Sequence, residues 1–419
     1  MPPQTITERI IARHADRDAV SPGEYVEVRV DQTWSDDLGA PITLGLLETY
    51  GIAEVFDRDR VFITSMVNAP AHSIETAEVL KLIRELSRKF DITLYEMGHA
   101  AIHNAKAIEL GKTLPGELIV GGNSHACMAG ALGCYATGMG STDIAAILAT
   151  GRTWLEVPRT IRYRYIGKLR PWVTGKDLIL HTIGRIGVAG ADNAAMEFVG
   201  EPIAQLEVEE RLSMSNMAIE AGGQNAICQP DAKTFAYVEK IAQRPWQPVF
   251  GDADARVSEE IVIDIDALEP VIAAPFLPSN TTSWCEVKGL PLDQVYIGSC
   301  TNGWMTDLRA VAAILKGRKI ADNLRVIVIP STAQIYRRAV EEGLAQIFLE
   351  AGAAFSLPTC GPCIGAHAGV LADGERCLAT SNRNFPGRQG ALRSETYLCN
   401  PVIAAASAIK GCIASPDDI

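Results

Sequence analysis

Gly298-Ser-Cys-Thr-Asn302 and, sixty residues on, Thr359-Cys-Gly-Pro-Cys363 place Cys300, Cys360 and Cys363 on loops, and Thr380-Ser-Asn-Arg-Asn-Phe-Pro-Gly-Arg-Gln-Gly390 follows with arginines and asparagines. The flanking residues decide the fold. Val295-Tyr-Ile297 reads as a short strand running into Cys300. Leu308, Val311, Ala312 and Leu315 then recur at helical spacing, with Thr306 as N-cap and Gly317 as stop. Leu324-Arg-Val-Ile-Val-Ile329 is a second strand, Ala353-Ala-Phe-Ser-Leu357 a third that delivers Cys360, and Cys377-Leu-Ala-Thr380 a fourth that delivers Asn382, Arg383 and Arg388. Strands alternating with helices predict an α/β class, in which sites form beyond the carboxyl ends of the strands. The cysteine and arginine loops are therefore expected to converge on one crevice.

The chemistry of three cysteines is open on spacing alone. C-x-x-C suits a redox dithiol, which predicts a Cys360–Cys363 disulfide, or half of a zinc site, which Cys377 would complete as fourth ligand. Three thiolates with a vacant fourth position also suit an iron-sulfur cluster that meets substrate.

Taken together, Gly-Ser-Cys-Thr-Asn, Cys-Gly-Pro-Cys-Ile-Gly and Ser-Asn-Arg-Asn-Phe-Pro-Gly-Arg resemble the aconitase family, especially the large subunits of isopropylmalate isomerase and homoaconitase, from Asp31 to Pro416. The resemblance implies several α/β domains around a central iron-sulfur site. It implies a [4Fe-4S] cluster on Cys300, Cys360 and Cys363, with a smaller cluster or a single iron on the same thiolates as alternatives. Asn382, Arg383 and Arg388 would surround cluster and substrate. The chain stops after the small-residue helix Pro401-Val-Ile-Ala-Ala-Ala-Ser-Ala-Ile-Lys-Gly411 and an acidic tail. The family's swivel domain is thus expected to be absent, and a separate small subunit to supply the base. The expected function is the cluster-binding large subunit of a hydro-lyase or isomerase acting on a small hydroxy carboxylic acid. The alternative is a non-catalytic or regulatory metal-binding paralogue.

At 419 residues the chain exceeds a single ordinary core, and three domains are expected, 1–158, 159–285 and 286–419. A formal net charge of −12 argues against a nucleic-acid groove. No apolar run approaches the roughly 18 residues of a membrane span. The N-terminus lacks a signal-peptide core, and ten cysteines without a short secreted framework fit a reducing compartment, so the cytoplasm is expected.

Several family positions are altered. Where relatives carry an Asp-His pair that protonates the departing hydroxyl, this chain has Met66 and Val67, neither of which transfers protons. His72 is the nearest substitute, although its surroundings read as surface. The family's Asp-Ser-His-Thr reads Asn123-Ser124-His125-Ala126 here, so the charge paired with the histidine matched by His103 is lost, and His103 is expected to be more often neutral. The resemblance assigns Asn193 to the cluster's vicinity and Glu197 to orienting His125. Ser213, Asn216 and Glu220 share a helical face toward the site, whereas Met214 and Met217 read as core. Ser35-Asp36-Asp37 reads as a solvated loop, and residues 245–290, with five prolines, as a connection.

Overall fold

The computed structural model describes residues 2–102 and 104–419. The first helix forms over Ile6–His14, where Thr5 and Glu8 close a capping box and Ile6, Ile10 and Ile11 bury one face. Behind it lie a two-stranded antiparallel ribbon, Tyr25–Arg29 with Arg152–Glu156, and three larger sheets. A five-stranded parallel sheet runs, in spatial order, through Thr93–Tyr95, Val61–Thr64, Gln32–Asp36, Leu118–Gly121 and Tyr135–Gly138. A four-stranded parallel sheet orders Asn225–Cys228, Ala195–Val199, Thr160–Ile166 and Glu259–Asp264. The third has seven strands, in the order Thr281–Ser283, Val271–Ala273, Glu395–Leu398, Arg376–Ala379, Gln294–Gly298, Arg325–Ile329 and Ala354–Phe355. Its last five strands are parallel, and the first two are added antiparallel at one edge.

Strands such as Val61–Thr64 and Gln294–Gly298 are buried at every position, because helices or neighbouring sheets cover both faces. One continuous apolar core reaches from Trp34 to Ile413 and joins residues of the three larger sheets.

The strand orders explain where a site can form. In the seven-stranded sheet the chain leaves Gln294–Gly298 toward Arg325–Ile329 on one side and returns at Arg376–Ala379 on the other. In the five-stranded sheet it leaves Gln32–Asp36 toward Val61–Thr64 and returns on the opposite side at Leu118–Gly121. Each reversal leaves a gap beyond the strand ends, the place where open α/β sheets bind ligands. Cys300 and Asn382 follow the two strands of the first gap, and Asp37 and Asn123 follow those of the second.

Two expectations change locally. The helix over Met305–Leu315 starts earlier than predicted, because Asp307 accepts the Trp304 N–H at 3.0 Å and closes the cap. Thr306 instead donates its N–H and hydroxyl to Glu209 at 2.8 and 2.7 Å. The stretch 245–290 contributes Glu259–Asp264 to the four-stranded sheet and both antiparallel edge strands to the seven-stranded one.

Candidate active site

Cys300 lies on a sharp strand-to-helix turn. Gly298 has φ 147°, and a Cβ there would stand 2.2 Å from the Ile329 carbonyl oxygen, so only glycine fits. Ser299 follows in the left-handed region at φ 75°. The Thr380 hydroxyl ties the two strand ends together, accepting from Gly298 N–H at 2.8 Å and donating to Gly298 C=O at 3.1 Å. Lys176, fully buried on the helix Gly175–Ile186, donates Nζ to the carbonyls of Thr380 and Ser381 and so holds the loop that carries Asn382 and Arg383.

Cys300, Cys360 and Cys363 are each no more than 3% exposed, and all three are free thiols. Asn216 Nδ2 donates to Cys300 Sγ at 3.2 Å, Asn382 Nδ2 points to the same sulfur at 3.7 Å, and Arg388 Nη2 lies 3.8 Å from Cys363 Sγ. Burial, then the neighbouring Cys363, pushes the Cys300 thiol up to about 12. The Cys360 thiol is raised further by its hydrogen bond to Cys363, by burial and by the charges of Cys363 and Cys300. Three mutually repelling sulfurs ringed by N–H donors suit a group that brings its own positive charge, as thiolate-bound metal does. Among the described residues, no three His, Cys, Asp or Glu side chains close on one point as ligands of a single ion would. Cys377 is not a fourth ligand. It pairs in register with Gln294, at the amino end of the strand whose carboxyl end leads to Cys300.

His125 is buried and its Nε2 lies 2.8 Å from an oxygen of Glu220, not of Glu197. Glu197 is on the strand Ala195–Val199, where its carboxylate takes the Arg162 guanidinium at 3.1 Å. Its expected role as partner of His125 is corrected accordingly: position 197 faces the four-stranded sheet's own arginine, while the short helix Met217–Ala221 presents Glu220 to the crevice. Arg383 Nε donates to the same Glu220 oxygen at 2.8 Å. Burial raises the Glu220 carboxyl, but the hydrogen bond and charge of His125, followed by Arg383, outweigh it and hold the group below its ordinary value.

Asn193 is likewise displaced from its expected place. It is exposed, at φ 52°, and lines the outer wall of a cavity of about 630 Å³ with Asn123 and Ser124. The asparagine against the cysteines is Asn216, whose Oδ1 also accepts from Thr301 Oγ1 at 3.0 Å and Asn382 Nδ2 at 3.4 Å. Ser213 donates to Thr301 C=O at 2.7 Å, and Met214 and Met217 are core. The spacing 213, 216, 220 was the signal, one face of a helix.

Asn123 Oδ1 accepts the His125 N–H at 3.0 Å, and its Nδ2 reaches Asp36 Oδ2 at 3.5 Å. His103 lies outside the described residues. Asp36 and Asp37 are no solvated loop; they are 2% and 1% exposed. Asp37 accepts the N–H groups of Met66, Val67 and Asn68 at 3.0, 3.0 and 2.6 Å, and burial raises its carboxyl despite those bonds. From the other side, Cys360 N–H and Thr359 Oγ1 donate to Met66 C=O at 2.8 and 2.9 Å, and His367 Nε2 lies 2.9 Å from Val67 C=O. Met66 and Val67 are fully buried, and a thioether and an alkyl group carry no transferable proton. His72 is exposed and stacks on His367, with ring centroids 5.4 Å apart.

A family model described as "Aconitase family (aconitate hydratase)" matches residues 53–288 and 280–411. The chain is 51% identical over 416 residues to the 3-isopropylmalate dehydratase large subunit of Syntrophus aciditrophicus (strain SB), covering 99% of each. It is 48% identical over 420 residues to the protein of the same name from Aquifex aeolicus (strain VF5), covering 99% of this chain and 97% of that one. Among solved structures it resembles Thermococcus kodakaraensis aconitase X in its holo form, with TM-score 0.52, 12% identity and coverage of 85% and 84%, a likeness of fold alone.

Proposed function

This chain belongs to the aconitase family and is the catalytic large subunit of an aconitase-type hydro-lyase; we propose that it holds a [4Fe-4S] cluster on Cys300, Cys360 and Cys363 and, in complex with a separate small swivel-domain subunit, acts in the cytoplasm on a small hydroxy acid of the isopropylmalate type. Bound there, the cluster supplies a Lewis acid for the substrate's hydroxyl and carboxylate. The carrying observation is the linked set Arg383–Glu220–His125, tied to the cysteines through Asn216 and Asn382. Arg383 spends Nε on Glu220, which fixes its guanidinium plane and leaves the Nη edge to clamp a substrate carboxylate. Glu220 orients His125 as an acid–base unit. Asn216, Asn382 and Arg388 direct N–H groups at the sulfurs and stabilise their thiolate form. A regulatory paralogue would have no use for that carboxylate clamp. Domain limits of 1–158, 159–285 and 286–419 remain our assignment.

The test is anaerobic purification with a candidate small subunit, followed by Mössbauer spectra with a panel of hydroxy acids. One iron whose signal moves with one acid, together with turnover by the complex and none by the chain alone, is expected. A cluster indifferent to every acid would overturn the reading.

A further inference from the structure

The amino ends of the five-stranded sheet border a cavity of their own, at the opposite end of the strands from Asp37 and Asn123. Asp31 stands before the strand Gln32–Asp36, Arg60 before Val61–Thr64 and Glu117 before Leu118–Gly121, and all three line it. Its volume of about 690 Å³ is that of a small-ligand site. The wall is basic in a chain whose net charge is −12: Arg13, Arg29, Arg60, Arg152 and Arg244 line it against the carboxylates of Asp31, Asp57 and Glu117. Those carboxylates are already committed. Asp31 accepts from Arg60 Nη1 and from Leu118 N–H, both at 3.1 Å, and lies 2.5 Å from His14 Nε2. Asp57 pairs with the same Arg60 at 3.3 Å, and Glu117 with Arg244 at 2.5 Å.

Three arginines are left without a carboxylate inside the cavity. Arg29 and Arg152 reach outward to Asp16 and Glu27, more than half exposed, at 3.0 and 2.8 Å. Such pairs are weak in water and a ligand can displace them. Arg13 makes no ion pair among the described residues, and its Nη2 is 3.5 Å from Gln247 Oε1. Phe56 and Trp246 add aromatic surface. We propose that this cavity binds a small organic anion carrying two or more carboxylate or phosphate groups, held by Arg13, Arg29 and Arg152. Each planar guanidinium offers a fork that matches one such group, and three forks call for more than one. The strand Gln32–Asp36 puts about 16 Å between this site and the crevice, so an anion here does not compete with one held by Arg383. The inference is independent of the hydro-lyase reading.

Calorimetric titration of the full chain with pyrophosphate, and separately with succinate, tests it. Succinate lacks the hydroxyl that a hydro-lyase site engages. One site per chain that persists in Arg383→Gln is expected for at least one probe, and the tighter of the two identifies the acid group preferred. Arg13→Gln and Arg152→Gln should each weaken that binding about ten-fold, the loss of one charge-assisted contact. Both side chains are exposed, so urea midpoints should stay near the parent's. Binding of neither probe, or binding that both cavity variants leave intact, would overturn the assignment.

Discussion

One oxygen of Glu220 serves both His125 and Arg383, so removing its charge touches proton handling and carboxylate clamping together. Glu220→Gln is expected to lower kcat/KM by roughly 100-fold or more in the assembled enzyme, and to lower the thermal midpoint as well, because it breaks a buried pair with Arg383. Glu197→Gln should cost stability while leaving KM alone. It strands Arg162, whose side chain is 14% exposed and has Glu260 at 3.8 Å. The cost is therefore about 2 kcal/mol, below that of a fully buried broken pair, measured by urea unfolding. At this scale the three buried cysteines and the arginines beside them could be singled out in advance, since cysteines and anion-binding side chains on loops announce themselves. The partner of His125 was not. Glu197 and Glu220 are equally polar letters, and only the packing of Met217–Ala221 against the crevice separates them. Asp37 was illegible for a related reason: its three donors lie 29 to 31 residues away, and nothing local marks an aspartate that binds distant amides.

At the level of elements, the alternating strands from Val295 to Thr380 could be read because buried parallel strands are short apolar runs. The edge strands Val271–Ala273 and Thr281–Ser283 could not, since three-residue strands among prolines carry no periodicity. The helix Gly175–Ile186 reaches the loop of Asn382 and Arg383 through one buried cation, Lys176, which burial brings down to about 8. Lys176→Met leaves the Thr380 and Ser381 carbonyls without that donor. A loss of about 1–3 kcal/mol is expected. Because the same loop delivers Arg383, KM should rise as well; calorimetry and substrate titration of one preparation would separate the two effects.

Across the whole molecule, stability should depend on groups far from the crevice. Glu117 borders a cavity of about 690 Å³ at the amino ends of the five-stranded sheet, where burial, only partly offset by Arg244, lifts its carboxyl to about 7. Between an ordinary value near 4.5 and about 7, the folded chain keeps a proton that the unfolded chain has released. Stability contributed by that proton is complete at the acid end of this window and declines as pH rises through it. Glu117→Gln should flatten the decline, and urea midpoints at pH 5 and pH 8 should diverge from the parent by on the order of 2 kcal/mol. A parallel shift of both proteins would refute this. Among the described residues no helix is long and apolar enough to cross a membrane.

The seam at Met66–Asn68 has a consequence for how this molecule can change. Asp37 grips it by three main-chain N–H groups, while Cys360, Thr359 and His367 hold its carbonyls. Every residue except proline offers those groups. The main-chain grip is thus independent of which side chains stand at 66 and 67, although both are buried in the apolar core and a polar pair there needs partners of its own. Met66→Asp/Val67→His should therefore keep these main-chain bonds while losing stability, measured by urea unfolding. Evolution, or a designer, can rewrite the chemistry at this seam while its mechanical join stays in place.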